Sequence, residues 1–307
     1  MTPKVVKLQE FLKRKYSFLY VVEPLLTIGG IGIIHGKGGH GKTQWAFSLA
    51  NAVSSGTKFL NQFPTKKGKV LYLQLDMPEA LFNDRWQKAA KTLKSPENIA
   101  VVPYKPMDIL DPRFQKMLKE WVEEFDPRLV IIDTLRKIHL ENENANEIPM
   151  QVYAAIKNCM GENRSAIIIH HDRKSVFVNN KAKKDSDHDE YDSPDEFTET
   201  FRGARAWIDD SDLGVHLYKY GRTNRIKMSY SKLRCAPQAP MFLILNEETL
   251  LIETKPAENV REWAVKIHAE NKSIDVKEWT KDVEKSAECS RQRANKVVNE
   301  VMTEMAL

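Results

Sequence analysis

The sequence predicts an α/β protein with a mostly parallel sheet, a C-terminal antiparallel extension and a small helical C-terminal segment. The first observation is that short apolar runs alternate with helix-like stretches up to about residue 212, as expected of buried strands in a parallel sheet that helices cover on both faces. The apolar runs lie at residues 31–34, 70–75, 99–102, 129–132 and 166–169. The helix-like stretches lie at residues 43–53, 113–125 and 151–160.

The second observation is a change of pattern after residue 212, where strand-like segments follow one another with only short turns between them. Strands that are joined by short turns pair in the antiparallel direction, which predicts the extension of the sheet. These segments lie at residues 213–220, 225–231, 241–245 and 250–253. Three helices are predicted after Pro256, near residues 258–270, 275–285 and 290–305.

These patterns divide the chain into an N-terminal helix at residues 1–20, a core at residues 21–255 and a helical tail at residues 257–307. Within the core, residues 174–200 are rich in charge and poor in apolar side chains, which predicts a mobile charged loop. The N-terminal helix is basic and amphipathic, and we interpret it as a candidate oligomer contact. Its apolar face comprises Val5, Leu8, Phe11 and Leu12.

The composition is that of an ordinary folded protein of 307 residues, with 42% apolar and 29% charged residues, which excludes a collagen-like or wholly disordered chain. No stretch approaches the roughly 20 apolar residues that span a bilayer, and charges interrupt the N-terminus too often for a secretory signal. The 3 cysteines lie far apart, which argues against a disulfide framework or a zinc site and favours a cytoplasmic location. The net charge of +5 leans only weakly toward polyanionic partners.

A glycine-rich motif connects the apolar run at residues 31–34 to the first helix-like stretch of the core. It fits the pattern G-x-x-x-x-G-K-[ST], whose glycines let several backbone N–H groups point at one phosphate while the following helix adds its positive dipole end. The Lys42 ammonium would reach the outer phosphates, and the Thr43 hydroxyl would bind Mg²⁺. The alternative is a glycine-rich turn without a ligand. The predicted nucleotide-binding residues are Gly36, Lys37, Gly38, Gly39, His40, Gly41, Lys42 and Thr43.

Two acids follow apolar runs of the predicted sheet. Asp133 comes at the carboxyl end of one run, where open α/β sheets bind ligands, and we expect it to hold Mg²⁺ together with Thr43. Asp76 follows another run and is a candidate for the group that activates the attacking water. Two alternatives stay open there, because Asp76 could instead cap the next helix and Glu79 could take the catalytic role.

Three segments after the glycine-rich motif resemble the RecA-like core of hexameric replicative helicases, in particular the plasmid RepA-type helicases, which are DnaB-related. The segments read VLYLQLDMPEALFNDRW, VIIDTLRKIHLENENANEIPMQ and AIIIHHDRKS, in this order. Residues 74–78, QLDMP, are similar to the SLEMP motif of the DnaB family. The resemblance covers residues 20–255 and implies a RecA-like P-loop ATPase that binds ATP and Mg²⁺ between the subunits of a ring.

The resemblance also implies roles for single residues. Asp76 takes the place of the family's catalytic glutamate, and because its side chain is one methylene shorter, it implies slower hydrolysis. His171 falls at the polar sensor that reads the γ-phosphate, whereas His170 beside it would only pack. Lys232 and Arg234 lie in the motif SKLR, which is similar to a strand end whose cations reach the γ-phosphate of the neighbouring subunit as an arginine finger does. The alternative is that both cations face water.

Two loops contact DNA in the family that the chain resembles. The first would begin at Arg136 and Lys137, and the second would be residues 174–200, followed by an RG step that contains Arg202. Basic side chains of the second loop could follow a phosphate backbone, or the loop could be a solvated charged segment without contacts. These basic residues are Arg173, Lys174, Lys181, Lys183 and Lys184.

The tail resembles a helix-turn-helix, with Ser290 as a helix N-cap. Its charge is nearly balanced, which argues against strong affinity for DNA, so DNA or partner binding and simple packing or oligomer contacts both stay open. The candidate recognition helix carries Arg291, Arg293 and Lys296, and Trp263 and Trp279 are predicted to be core residues.

The sequence therefore predicts an ATP-hydrolysing RecA-like motor that acts on single-stranded DNA, as a ring-forming replicative helicase or translocase of a mobile element. The expected partners are single-stranded DNA, further copies of the chain in a hexameric ring, and a replication initiator, primase or other accessory protein; no membrane is expected. Two alternatives stay open. One is a RecA-group filament or recombination mediator, and the other is an ATP-switched loader or regulatory DNA- or partner-binding module with slow hydrolysis.

Overall fold

The computed structural model describes residues 5–13, 20–103, 107–172, 205–219, 224–235, 237–254, 264–265, 267–269, 274–287 and 291–305. The chain divides into two compact units, residues 1–253 and 254–307. The predicted charged loop at residues 174–200 lies outside the described residues. In the first unit the helices and strands are, in chain order, α1 (Leu8–Leu12), β1 (Tyr20–Val22), β2 (Leu26–Thr27), β3 (Ile31–His35), α2 (Lys42–Ser55), β4 (Lys69–Gln74), α3 (Glu79–Ala90), β5 (Ile99–Val102), α4 (Pro112–Phe125), β6 (Pro127–Asp133), α5 (Ile148–Met160), β7 (Ser165–Ile169), α6 (Ala206–Asp209), β8 (Leu213–Lys219), β9 (Arg225–Leu233), β10 (Met241–Leu245) and β11 (Ile252–Thr254).

Nine of these strands form one sheet in the order β11-β10-β9-β8-β3-β7-β6-β4-β5. Neighbouring strands from β8 to β5 run parallel to one another, whereas β9 is antiparallel to both β8 and β10. The predicted α/β class, with a mostly parallel sheet and a C-terminal antiparallel extension, is confirmed. One detail of the prediction is wrong, because β8 still runs parallel to β3 and the antiparallel part begins only with β9.

The central strands are buried on both faces, which is why they read as continuous apolar runs in the sequence. Side chains of a strand alternate between the two faces, and β7 shows the consequence. Ile167 and Ile169 pack in the same core as Trp45 and Phe47 of α2. Ala166 and Ile168 pack in a second core with side chains from α4 and α5, which therefore cover the opposite face.

The N-terminal part differs from the prediction of a helix over residues 4–20. The helix spans only Leu8–Leu12, and Tyr20 already begins β1, which pairs antiparallel with β2 in a separate two-stranded sheet. The tight turn between these strands contains Pro24, whose fixed φ favours a turn. The predicted apolar face of α1 is exposed in the described chain, with Leu8 and Leu12 at 69% and 72% of full exposure.

The second unit is helical, in agreement with the predicted pattern, and contains α7 (Val276–Ala287) and α8 (Arg291–Met305), with further helical residues at 264–265 and 267–269. Trp279 is buried as predicted, and its indole N–H donates to the Ala264 carbonyl at 2.9 Å. Trp263 and Ser290 lie outside the described residues. The small core around Trp279 comprises Ala264, Val283, Ala294, Val298 and Val301.

None of the helices that the structure describes combines the length and the apolar character that crossing a bilayer requires.

Candidate nucleotide-binding site

The glycine-rich motif forms a loop between the end of β3 and the start of α2, as the sequence predicts. Gly41 precedes α2 with φ +87°, and a Cβ at this position would lie 2.5 Å from Cδ1 of Ile226, so only glycine fits both the backbone and the space. The Lys42 ammonium donates to the carbonyl oxygens of Gly36 and Lys37 at 2.7 and 2.8 Å. The side chain therefore lies across the loop, at the place where phosphates bind in loops of this type.

Burial lowers the pKa of Lys42 to about 8, although the carboxylates of Asp172, Asp133 and Asp76 oppose that shift. A desolvated cation gains much from an anionic ligand, because the ligand replaces the lost hydration. Lys42 is therefore suited to binding a phosphate group. His40, at the tip of the loop, is held by its Nδ1–H, which donates to the Leu217 carbonyl at 3.1 Å.

Asp133 is the last residue of β6 and reaches the start of α2. The Thr43 hydroxyl and the Tyr72 hydroxyl both donate to its Oδ2 atom, each at 2.9 Å. Burial raises the pKa of Asp133 to about 6, against the hydrogen bonds from Tyr72 and Thr43. A hydroxyl and a carboxylate side by side are the hard oxygen donors that Mg²⁺ prefers, so this pair fits the predicted ion. The Tyr72 contact escaped sequence reasoning, and the only signal was a hydroxyl inside an otherwise aliphatic strand.

Asp76 and His171 are brought together, with 4.0 Å between Oδ2 of the aspartate and Nε2 of the histidine. Both side chains are about one third exposed, at 38% and 35%, so solvent reaches them. The Asp76 backbone N–H donates to Oε1 of Gln74 at 3.0 Å. Helix α3 begins at Glu79 after Pro78 and has no side-chain cap, so the alternative that Asp76 caps this helix is wrong.

His170 is 1% exposed, in agreement with its predicted packing role, and burial lowers its pKa to about 3. The next residue but one, Asp172, is a buried acid that the sequence analysis did not single out. Its Oδ1 lies 2.9 Å from Nδ1 of His35, and its Oδ2 lies 3.2 Å from Nε2 of His216. The only sequence signal was the charged pair Asp172 and Arg173 directly after a buried strand.

Lys232 and Arg234 do not reach this site in the same chain. Lys232 pairs with Gly214, which pairs with Ile33, so Lys232 lies level with the middle of β3. Arg234 lies further from the loop, with Nη1 at 3.3 Å from Oδ1 of Asp212, a residue that accepts the backbone N–H of Ile31. Both cations thus lie toward the edge of the sheet where β3 begins, whereas the glycine-rich loop follows its end. The Lys232 ammonium donates to the Asp209 carbonyl.

The predicted DNA-contacting residues are only partly described. Arg136 and Lys137 lie in a short 3-10 turn, Leu135–Lys137, directly after Asp133 and Thr134. The Arg136 side chain is exposed and that of Lys137 is half-buried. The other predicted DNA contacts lie outside the described residues, and they are Arg173, Lys174, Lys181, Lys183, Lys184 and Arg202.

Comparison with known proteins agrees with this geometry. The family model described as "AAA domain" matches residues 4–176, which include the glycine-rich loop, Asp76, Asp133 and His171. The solved structure of the ATPase domain of a DnaB-like helicase matches with a TM-score of 0.52 and 14% sequence identity, over 74% of this chain and 85% of that chain. The structural match shows a shared fold, and the two matches together confirm the predicted resemblance to ATPase domains of the RecA-like, replicative-helicase type.

Proposed function

Because the chain belongs to the AAA domain family, we propose that it is an ATP-hydrolysing motor that acts on single-stranded DNA, as a ring-forming replicative helicase or translocase of a mobile element. The observation that carries the proposal is the grouping of four functions at one edge of the sheet. The glycine-rich loop lies beside the pair of Thr43 and Asp133, whose hydrogen bond is 2.9 Å long. The same edge carries Asp76 and His171, 4.0 Å apart.

The chain's own residues suffice to bind Mg²⁺-ATP. On binding, Lys42 would exchange the Gly36 and Lys37 carbonyls for β- and γ-phosphate oxygens, since a buried ammonium interacts more strongly with an anion than with a carbonyl. Thr43 and Asp133 would hold the metal ion. When bound, Mg²⁺ supplies positive charge that offsets the negative charge on the phosphate oxygens.

Asp76 and His171 fit the chemical step. The Asp76 carboxylate would accept the proton of the attacking water, and the His171 imidazole would donate a hydrogen bond to the γ-phosphate. Burial lowers the pKa of His171, so the ring is neutral at neutral pH and can act as a donor through one nitrogen only. Because the aspartate is shorter than a glutamate, we expect slow turnover until a partner completes the site.

The missing part of the site would come from a neighbouring subunit. Lys232 and Arg234 lie toward the opposite edge of the sheet from their own glycine-rich loop. In a ring, that edge of one subunit can face the nucleotide of the next, and an arginine delivered in this way stabilises the transition state. Arg136 and Lys137, together with the basic residues of the predicted loop at residues 174–200, would contact the DNA.

The first experiment compares steady-state ATP hydrolysis with and without single-stranded DNA for the wild type, Lys42→Ala and Arg234→Ala. We expect DNA to stimulate the wild type, and we expect both variants to lose at least about a hundredfold in rate, because an arginine finger contributes that much or more. Arg113→Ala is the matched control. Its guanidinium also pairs with an aspartate, Asp111, at 2.7 Å on the surface, and its removal should leave the rate unchanged.

Mixing the two inactive variants tests whether Arg234 acts in trans. A mixed ring places an intact glycine-rich loop, from Arg234→Ala subunits, next to an intact arginine from Lys42→Ala subunits, so activity should partly return on mixing. No recovery would contradict the trans arrangement. A Lys42-dependent rate that is indifferent to DNA and to Arg234→Ala would contradict the motor.

That second result would favour the ATP-switched loader or regulatory module, for which the short Asp76 side chain is the specific observation. Negative-stain microscopy distinguishes the remaining alternative, since a closed ring fits the helicase and an open helix on DNA fits a RecA-group filament. A hexameric state, a primase or initiator partner, a role of the tail in binding DNA, and a cytoplasmic location stay predictions from the sequence.

A further inference from the structure

A buried cluster of His35, Asp172 and His216 joins three strands directly below the glycine-rich loop; we refer to it as the His–Asp–His cluster. Its members are 0%, 7% and 6% exposed. His35 is the last residue of β3, Asp172 follows β7, and His216 lies within β8. The two imidazole rings lie 4.9 Å apart between centroids.

Hydrogen bonds account for the contacts of the cluster. His35 Nδ1–H donates to Oδ1 of Asp172 at 2.9 Å, and His216 Nε2–H donates to Oδ2 at 3.2 Å. The second ring nitrogen of His35, Nε2, can then accept from the Ser231 hydroxyl at 3.0 Å. Burial acts to raise the pKa of Asp172, but the hydrogen bonds from His216 and His35 outweigh it and hold the pKa well below its ordinary value. Asp172 is therefore a stable anion.

Three such side chains could also bind a metal ion, since their donor atoms all lie within 4.8 Å of one another. The geometry favours the hydrogen-bonded form. Each imidazole contacts a different carboxylate oxygen, so the carboxylate lies between the two rings, whereas a metal site requires both nitrogens and one oxygen to converge on a common point.

The cluster is continuous with the backbone that carries the proposed sensor. The His170 N–H donates to the Ile34 carbonyl at 2.8 Å, and the Asp172 N–H donates to the Gly36 carbonyl at 3.2 Å. His171 lies between these two anchored residues. Gly36 is the first residue of the glycine-rich loop, and its carbonyl also accepts from Lys42.

We propose that Asp172 is a positioning residue for ATP hydrolysis, which holds the end of β7, and with it His171, at a fixed distance from the glycine-rich loop. The carboxylate binds two strands through His35 and His216, so the Asp172 backbone cannot move away from Gly36 without breaking charge-assisted hydrogen bonds. Such fixation affects the γ-phosphate end of the site more than the rest of the nucleotide. The inference rests on the proposed function, in which His171 contacts the γ-phosphate.

The test compares Asp172→Ala and Asp172→Asn with the wild type in kcat, KM for ATP and ADP-binding stoichiometry. Asp172→Ala should lower kcat by about tenfold or more, because a displacement of about 1 Å near the reacting atoms costs up to a hundredfold. ADP should still bind at full stoichiometry, with a Kd within about threefold of the wild type, because the loop and Lys42 are intact. Asp172→Asn keeps one acceptor oxygen and should show an intermediate kcat.

Asp126→Asn is the matched control. It also removes a carboxylate that pairs with a cation, Arg164 at 2.7 Å, but on the surface, and asparagine tolerates the positive φ of 49° at this position. We expect it to behave as the wild type does in kcat and in ADP binding.

Three results would overturn the inference. The first is a wild-type kcat in Asp172→Ala. The second is a loss of ADP-binding stoichiometry in step with kcat, which would indicate a merely structural role. The third is an equimolar transition metal in the purified wild type that Asp172→Ala lacks. The Lys42→Ala variant separates these results from a failure of the proposed function, since wild-type hydrolysis that does not depend on Lys42 would refute the ATPase site itself.

Discussion

The Tyr72 hydroxyl and the Thr43 hydroxyl donate to the same oxygen of Asp133, so this carboxylate has a fixed orientation before any ion binds. A partner that orients a metal ligand affects metal affinity by about 10- to 100-fold. Tyr72→Phe removes only the hydroxyl. We therefore expect it to raise the Mg²⁺ concentration for half-maximal ATP hydrolysis by about tenfold, measured at saturating ATP.

Tyr153→Phe is the control for that prediction, because the Tyr153 hydroxyl also makes a buried hydrogen bond, at 2.5 Å to the Trp207 carbonyl, away from the nucleotide site. Both substitutions should lower the free energy of unfolding by about 1 kcal/mol. Only Tyr72→Phe should change the Mg²⁺ dependence. Equal Mg²⁺ dependence in the two variants would mean that Tyr72 has no role beyond stability.

Single residues differ in how far the sequence reveals them. Lys42, Thr43 and Asp133 were predicted because their role needs a local motif or a strand end, which the sequence displays directly. Tyr72 and Asp172 were not predicted, because their partners are remote in sequence, 61 residues away for Tyr72 and 137 residues away for the contact of Asp172 with His35. A hydroxyl or an acid next to an apolar run carries no signal of which side chain it will meet.

Strand β9 depends on a close approach to β8 at Gly214. A Cβ at this position would lie 2.5 Å from the Ser231 Oγ atom and 3.0 Å from the Lys232 backbone nitrogen. Gly214→Ala therefore forces β9 outward at the residues that precede Arg234. We expect a loss of about 1–3 kcal/mol in the free energy of unfolding, as for other overpacked sites, measured by urea denaturation.

A double-mutant cycle tests the cause of that loss. Ser231→Ala removes the atom that the new methyl group would meet first, so Gly214→Ala combined with Ser231→Ala should lose less than the sum of the two single variants. Additive losses would show that the clash with Ser231 does not determine the cost.

Elements with a strong local pattern were predicted closely, and β5 and β10 agree with the predicted bounds. The direction of β8 was not predictable, since an apolar run fits a parallel or an antiparallel strand equally and its partner β3 lies far away in the chain. The two-stranded sheet of β1 and β2 was missed for another reason. Its strands have only three and two residues, too few to show a period.

At the scale of the whole molecule, each unit has an apolar core of its own. The core of the second unit contains Trp279 and Val298, and both cores of the first unit lie against the nine-stranded sheet. A chain that ends at residue 255 should therefore fold and bind ADP with a Kd within about threefold of the full chain. Calorimetric titration with ADP measures this, and Trp279→Ala in the full chain is a second variant that should leave ADP binding unchanged.

An insoluble or ADP-free product from the shortened chain, together with normal ADP binding by Trp279→Ala, would show that the first unit needs residues beyond 255. Loss of ADP binding in both variants would show that it needs the folded second unit.

Acid should destabilise the whole molecule through its buried histidines. Burial lowers the pKa of His170 to about 3, from an ordinary value of 6.5, and also lowers that of His35. Below pH 6.5 the unfolded chain binds protons that the folded chain does not, so the free energy of unfolding falls as the pH falls from about 6.5 toward 3. Asp172 acts in the same direction at lower pH, because its pKa is lower in the folded protein and protonation of the unfolded chain favours unfolding.

Each buried neutral histidine contributes up to about 1.4 kcal/mol per pH unit in that window. Urea denaturation at several pH values between 7.5 and 5 measures the slope, and His170→Asn should reduce it. Ile168→Val is the control, since it weakens the same strand by about 1 kcal/mol and titrates nothing. It should shift the whole stability curve without changing its slope. An unchanged slope in His170→Asn would mean that His170 does not carry the acid sensitivity, and an equal slope change in both variants would mean that loss of packing, not protonation, is responsible.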